Sequence, residues 1–171
     1  MIIQTSFGSI RPWQIADAET LAVYANNEKI WLNLRDVFPH PYTLEDANAF
    51  IRTVIAQKPM TIFALATPTE AIGSIGLSIN KDVHRLTAEL GYWLAEPFWG
   101  KGIMSEAVRS FTEAAFAHFN LVRIYAEPYA TNQASCRVLE KAGFVFEGRL
   151  RCSAIKNNQI IDQLLYAKVN C

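Results

Sequence analysis

Residues 99–104, Trp-Gly-Lys-Gly-Ile-Met, are the segment of this chain best suited to chemistry. They follow a strand-like run over 89–94 and precede a helical pattern that starts near Ser105. Glycines allow backbone N–H groups to converge on a ligand, and the first turn of a helix adds unpaired N–H groups and a partial positive charge. The sequence therefore predicts that this loop binds a phosphate.

Two known phosphate-binding motifs do not match this loop, which limits the kinds of phosphate ligand that it could bind. No Gly-Lys-Ser/Thr is present, so a Walker A loop is excluded. A dinucleotide-binding fingerprint fits poorly, because Met104 and Ser105 stand where its third glycine belongs and no acidic residue follows at the required place. A nucleotide-type diphosphate stays open, and the alternative is a tight turn without a ligand.

Composition sets the broad class of the protein. The 171 residues suffice for one domain spanning 1–171, and 16 basic residues balance 16 acidic ones, so we expect no nucleic-acid partner. No apolar run is long enough to cross a bilayer, and the first residues lack a signal-peptide pattern. Three scattered cysteines at no metal-ligand spacing predict a reducing, cytoplasmic setting and no metal site.

Hydrophobic periodicity predicts an α+β fold with a mixed, mainly antiparallel sheet. The seven strand candidates are 8–11, 61–66, 71–80, 86–94, 122–127, 144–151 and 160–169. The four helix candidates run from 17 to about 26, from 43 to about 58, from near 105 to at least 115, and from about 133 to 142. Asp17 and Thr43 are predicted N-caps, the latter with Asp46 as a capping-box partner. The strands before and after the third helix should be parallel neighbours.

Several segments together resemble one family. They are 88–94 (Ala-Glu-Leu-Gly-Tyr-Trp-Leu), 99–107 (Trp-Gly-Lys-Gly-Ile-Met-Ser-Glu-Ala), 132–135 (Asn-Gln-Ala-Ser) and 139–144 (Leu-Glu-Lys-Ala-Gly-Phe). In this order they resemble the GCN5-related N-acetyltransferases (GNAT), especially the branch of ribosomal-protein alanine and serine acetyltransferases, which modify protein N-terminal amines. Residues 41–47 also resemble the substrate-side helix of that branch.

The resemblance implies a GNAT fold: a seven-stranded sheet with a splayed parallel pair, flanked by about four helices. It implies acetyl-CoA as cosubstrate and no metal. The implied cofactor-binding residues are Trp93, Leu94, Trp99, Gly100, Lys101, Gly102, Ile103, Met104, Asn132 and Ser135. For Lys101 a solvent-facing position is the alternative to a contact with phosphate, and for Asn132 helix capping is compatible with a bond to pantetheine.

Acetyl transfer needs a neutral amine and donors for the developing oxyanion. Glu89 is the candidate base, acting through water, with a cross-strand ion pair as the alternative; Glu127 is a rival. The backbone N–H groups of residues 93 and 94 are the expected oxyanion donors. Ser135 resembles a serine that the branch places near the sulfur of CoA, although it could simply satisfy its own helix. Leu139 occupies the position at which many family members carry an acidic tyrosine.

The acceptor-binding candidates are Trp31, Asn33, Arg35 and Tyr42. Core packing is the alternative for the aromatic ones. The leading prediction is an acetyl-CoA-dependent N-acetyltransferase acting on a protein or peptide N-terminal amine. The alternatives are a small-amine acetyltransferase, with a polyamine, amino acid or antibiotic as acceptor, and a non-catalytic acyl-CoA-binding module. The expected partner is the amine acceptor, without nucleic acid or membrane, and a homodimer stays open.

Overall fold

The computed structural model describes all residues, Met1–Cys171. Its eight strands are β1 (Ile3–Thr5), β2 (Gly8–Arg11), β3 (Ile62–Ala66), β4 (Ala71–Ile79), β5 (Thr87–Leu94), β6 (Arg123–Ala126), β7 (Val145–Lys156) and β8 (Gln159–Val169). Its five helices are α1 (Ala18–Ala25), α2 (Glu28–Trp31), α3 (Leu44–Ala56), α4 (Ile103–His118) and α5 (Gln133–Lys141). The strands follow the order β1-β2-β3-β4-β5-β6-β8-β7 in one sheet. None of the helices is both long and apolar enough to cross a membrane.

The first of two compact units comprises Met1–Gly76 and Tyr92–Ile103. Here β1, β2, β3 and the start of β4 pair antiparallel in succession. The buried faces of α1 and α3 share a core with Trp13, whose indole meets the ring of Phe50 edge-on at 5.6 Å. Leu21 of α1 and Ile51 of α3 are buried, so each helix packs against this core through its apolar face.

The second unit comprises Leu77–Gly91 and Met104–Cys171. β5 and β6 are parallel, from Thr87 opposite Arg123 to Glu89 opposite Tyr125, which confirms the predicted parallel pair. α4 is the crossover between them, and its apolar repeat, including Phe111, is buried. β6, β8 and β7 continue as antiparallel neighbours.

Helix starts are partly as the sequence predicts. Thr43 and Asp46 form the predicted capping box of α3: the Thr43 hydroxyl accepts from the Asp46 N–H, and Asp46 accepts from the Thr43 N–H at 2.8 Å. Asp17 occupies the N-cap position of α1 as predicted, but its side chain makes no capping hydrogen bond there. The buried carboxylate instead accepts two hydrogen bonds at 2.8 Å from the half-buried Arg11 and one at 2.9 Å from the N–H of Gln14, because a bidentate charged partner is the stronger one.

The structure has eight strands rather than the predicted seven, and five helices rather than four. β1 spans three residues and α2 spans four, which is too short for a periodic pattern to reveal. The predicted end of β7 at Arg151 was also too early. Cys152 has a φ of 51° in an irregular stretch of the ladder, after which β7 continues to the turn at Asn157 and Asn158.

Candidate functional site

The glycine loop joins β5 to α4, as the motif predicts. A 3-10 turn (Glu96–Phe98) follows β5, and α4 begins at Ile103, two residues earlier than expected. Gly100 and Gly102 have φ values of +74° and +77°, and no atom lies within 4 Å of the position that a Cβ would take at either residue. Glycine is required by this backbone, and the space above it is open. A loop of this kind before a helix N-terminus fits the diphosphate of a nucleotide cofactor.

Two side chains stabilise the loop on its own unit. The indole Nε1–H of Trp99 donates a hydrogen bond of 2.7 Å to the carbonyl oxygen of Leu94, which ties the loop to the end of β5. The ammonium group of Lys101 is exposed and lies 5.4 Å from the centre of the Phe98 ring, a cation–π distance. This position leaves the long lysine side chain free to reach an anion above the loop.

The end of β5 also contacts the segment predicted to bind the acceptor. The ring of Phe38 lies 5.9 Å from that of Trp93 and 4.9 Å from that of Tyr42. Tyr42 is buried and its backbone N–H donates to the side chain of Asn26. Burial, aided by the nearby charge of Asp46, raises the pKa of Tyr42 to about 12, so its hydroxyl is a neutral donor near neutral pH.

The other acceptor candidates lie in more open positions of the same segment. Trp31 stacks on His40 with ring centres 5.3 Å apart, a pairing that the sequence analysis did not anticipate. Asn33 is exposed and its amide donates to the carbonyl oxygen of Lys29. Arg35 is also exposed. Of the four candidates, Tyr42 is linked to Trp93 through the ring of Phe38, which contacts both.

Asn132 and Ser135 lie at the start of α5. The side-chain oxygen of Asn132 accepts a 3.1 Å hydrogen bond from the N–H of Ser135, so the helix-capping role is present. The amide nitrogen of Asn132 takes no part in this bond and is the group that could donate to a ligand. Ser135 is half-buried in the first turn.

Of the two candidate bases, one lies on the parallel strand pair of the second unit and the other directly follows it. Glu89 is half-buried in β5, opposite Tyr125. The arginine of the neighbouring strand, Arg123, pairs with both oxygens of Glu147, which lowers the pKa of that carboxyl group. Glu127 follows β6, and its carbonyl oxygen accepts from the Gln163 side chain at 3.0 Å.

Across the whole chain, no group of three or more His, Cys, Asp or Glu residues is arranged to hold a metal ion.

A cavity of about 390 Å³ beside the 3-10 turn was not predicted from the sequence. Its lining residues are Val23, Tyr24, Asn26, Asn27, Glu96 and Pro97. The side-chain amide of Asn27 donates a 2.7 Å hydrogen bond to the carboxylate of Glu96, which also forms an ion pair with Lys29. The bond from Lys29 and the bond from Asn27 both lower the pKa of Glu96. No sequence pattern indicates this cavity, because both asparagines have structural roles: Asn27 caps α2, and Asn26 accepts from the backbone N–H of Tyr42.

Comparison with known proteins agrees with this geometry. A family model described as an acetyltransferase (GNAT) domain matches residues 9–145. An uncharacterized N-acetyltransferase, p20 of Bacillus licheniformis, is 27% identical over 163 residues, 93% of this chain and 90% of that protein. A ribosomal-protein-serine acetyltransferase of Escherichia coli K12 is 31% identical over 108 residues, 63% of this chain and 60% of that protein. Three further Bacillus subtilis relatives are matched along only 46–56% of their length.

Solved structures share the fold over the whole chain. A ribosomal L7/L12 α-N-protein acetyltransferase, RimL, in complex with coenzyme A has a TM-score of 0.87 at 20% identity, covering 99% of this chain and 98% of that one. A ribosomal-protein-S5-alanine acetyltransferase from Vibrio fischeri has a TM-score of 0.85 at 24% identity, covering 99% and 97%. At these identities the likeness shows the fold.

Proposed function

Because the chain belongs to the GNAT acetyltransferase family, we propose that it transfers the acetyl group of acetyl-CoA to a protein or peptide N-terminal amine. The observation that carries this proposal is the left-handed, open glycine loop at the start of α4, within the segment that the family model matches. The names of the ribosomal-protein relatives support the kind of acceptor. Acetyl-CoA and a ribosomal acceptor together imply action in the cytoplasm, and a homodimer stays a prediction.

We assign two segments of the chain to the binding of coenzyme A. The N–H groups of residues 100–104 would bind the diphosphate, with Lys101 adding a positive charge. The amide nitrogen of Asn132 would donate to the pantetheine arm. The thioester, when bound, supplies an already activated acyl group, so no covalent acetyl-enzyme is needed and the cysteines have no part in the reaction.

The protein's contribution to the chemistry is proton transfer and charge stabilisation. We assign Glu89 as the group that accepts the amine proton through a water molecule, because an amine near its solution pKa is largely protonated. The backbone N–H groups of residues 93 and 94 would stabilise the negative charge that develops on the oxygen of the attacked carbonyl. Ser135 would hold or pass a proton near the leaving thiolate.

The acceptor segment favours a peptide over a polycation. It contains several aromatic contacts, between Phe38, Tyr42 and Trp93 and between Trp31 and His40. A polyamine acceptor requires several carboxylates to balance its charge, and residues 31–42 contain one acidic residue, Asp36, beside Arg35. An apolar wall with a neutral tyrosine suits a single amine at the end of a peptide.

An amine panel tests the proposal directly. Thiol release from acetyl-CoA is measured with short peptides that start with Ala, Ser or Met. Spermidine and free amino acids are tested separately as alternative acceptors. We expect turnover with at least one peptide and a lower kcat/KM with every small amine. Turnover confined to small amines would support the small-amine alternative. Tight CoA binding without turnover on any amine would support the non-catalytic module.

A further inference from the structure

The last residues of β5 are held by β4 through an unusually close backbone contact. A Cβ placed on Gly73 of β4 would lie 2.4 Å from the carbonyl oxygen of Trp93, 3.3 Å from its carbonyl carbon and 3.1 Å from the Cα of Leu94. The oxygen is nearer than the carbon, so the Trp93 carbonyl points at Gly73. Any side chain there would collide with backbone atoms, which cannot move aside as a flexible side chain can.

This contact fixes the direction of one N–H group. The peptide bond between Trp93 and Leu94 is trans, since the cis bonds of the chain are at Pro41 and Pro59. In a trans peptide the C=O and N–H point in opposite directions. Because the Trp93 carbonyl faces Gly73, the N–H of Leu94 must point away from β4.

The peptide group between Leu94 and Ala95 is held in the opposite orientation, with its N–H towards β4. The N–H of Ala95 donates a 2.8 Å hydrogen bond to the carbonyl oxygen of Ile72 in β4, and the carbonyl oxygen of Leu94 accepts from the indole of Trp99 at 2.7 Å. Both peptide planes on either side of Leu94 are therefore held. The register of β5 with β6 ends at Glu89, so the edge to which the Leu94 N–H points is beyond the paired part of β5.

Gly73 cannot retreat from this contact. On its other side it pairs in register with Leu65 of β3, which is fully buried. A methyl group at residue 73 would therefore have to displace the Trp93 carbonyl and rotate the attached Leu94 N–H, because the interior is close-packed and β3 blocks the opposite movement.

From this geometry we infer that Gly73 is a positioning residue for catalysis: it admits the Trp93 carbonyl and so aims the Leu94 N–H at the carbonyl oxygen of the acetyl thioester. The inference rests on the proposed function and refines it, since it selects Leu94 over Trp93 as the oxyanion donor. A positioned N–H of this kind contributes about 10²–10³-fold to kcat, and a displacement of about 1 Å can cost 10²-fold.

The test compares Gly73→Ala with Gly76→Ala. Gly76 lies in the same strand and is also crowded, but a Cβ there would meet Ile62 and Thr61 of β3 rather than β5. We expect Gly73→Ala to lower kcat about 10- to 100-fold with KM and Kd for acetyl-CoA nearly unchanged, and Gly76→Ala to keep kcat even where its melting temperature falls. Equal kcat values for the two variants, each folded, would overturn the inference.

A spectroscopic readout separates alignment from stability. The infrared carbonyl band of ¹³C-labelled acetyl-CoA, bound without acceptor, should shift to lower frequency in the wild type and return towards its free position in Gly73→Ala. If that variant does not fold, Trp99→Phe keeps an aromatic side chain but removes the N–H that donates to the carbonyl oxygen of Leu94, and it should also weaken the band shift. An unshifted band in the wild type, or a full shift in the folded variants, refutes the inference. A wild type without any acetyl transfer would instead refute the proposed function.

Discussion

Replacing Gly102 with valine probes the glycine loop most sharply. The φ of +77° at this residue is unfavourable for any side chain, and a β-branched one is the most restricted. No protein atom lies within 4 Å of the Cβ position, so crowding inside the protein is not the cause of the expected effect. Backbone strain and collision with a bound diphosphate are the causes.

The size of the effect on binding follows from the hydrogen bond that is lost when the backbone relieves its strain. Holding a non-glycine residue in this region costs about 1–3 kcal/mol, and a backbone that rotates to escape the strain turns its N–H away from the ligand. A hydrogen bond to a charged group contributes about 1.5–3 kcal/mol. At about 1.4 kcal/mol for each tenfold change, we expect the Kd for CoA to rise about 10- to 150-fold.

Isothermal titration with CoA measures this change, and Gly148→Val is the matched control. Gly148 lies in β7, outside the left-handed region, and no atom lies within 4 Å of its Cβ position either. Acetyl-pantetheine, which lacks the diphosphate, should be used equally well by the wild type and Gly102→Val. An unchanged Kd for CoA in folded Gly102→Val, or equal losses for CoA and acetyl-pantetheine, would refute the assignment of the loop.

Three further predictions concern catalysis and stability. Glu89→Gln and Ser135→Ala should each lower kcat by about 10²-fold while the Kd for CoA stays within about twofold, as followed by thiol release and titration. Tyr42→Phe should leave the pH–rate profile below pH 9 unchanged, because burial raises the pKa of this tyrosine to about 12 and its ionisation cannot contribute there. Thr43→Ala should lower the free energy of unfolding by about 1 kcal/mol at pH 7. That loss should shrink in acid: the Thr43 hydroxyl and N–H lower the pKa of Asp46, so the stabilisation is present above the unfolded pKa and is lost as pH falls through the folded one.

Patterns that repeat along the chain were predicted well. The capping box at Thr43 and the parallel pair around α4 both follow from residue types and elements at fixed spacing. The glycine loop could be predicted for the same reason, because the strand, the glycines and the helix are consecutive in sequence.

Features that depend on distant partners could not be predicted. Asp17 is a plausible cap until the fold brings Arg11 beside it, since the arginine provides a bidentate partner that no local pattern reveals. Gly73 looks like an ordinary strand glycine, and its role becomes visible only when the Trp93 carbonyl is seen to point at it. The carbonyl that approaches Gly73 belongs to another strand, so no pattern within β4 reveals the contact.

The central claim is that the loop of residues 99–104 binds the diphosphate of coenzyme A. A crystal structure of the complex with CoA tests this claim most directly. The account predicts diphosphate oxygens within hydrogen-bonding distance of the backbone N–H groups of residues 100–104, with the two glycines still at positive φ. Density for the diphosphate at any other part of the chain would contradict it.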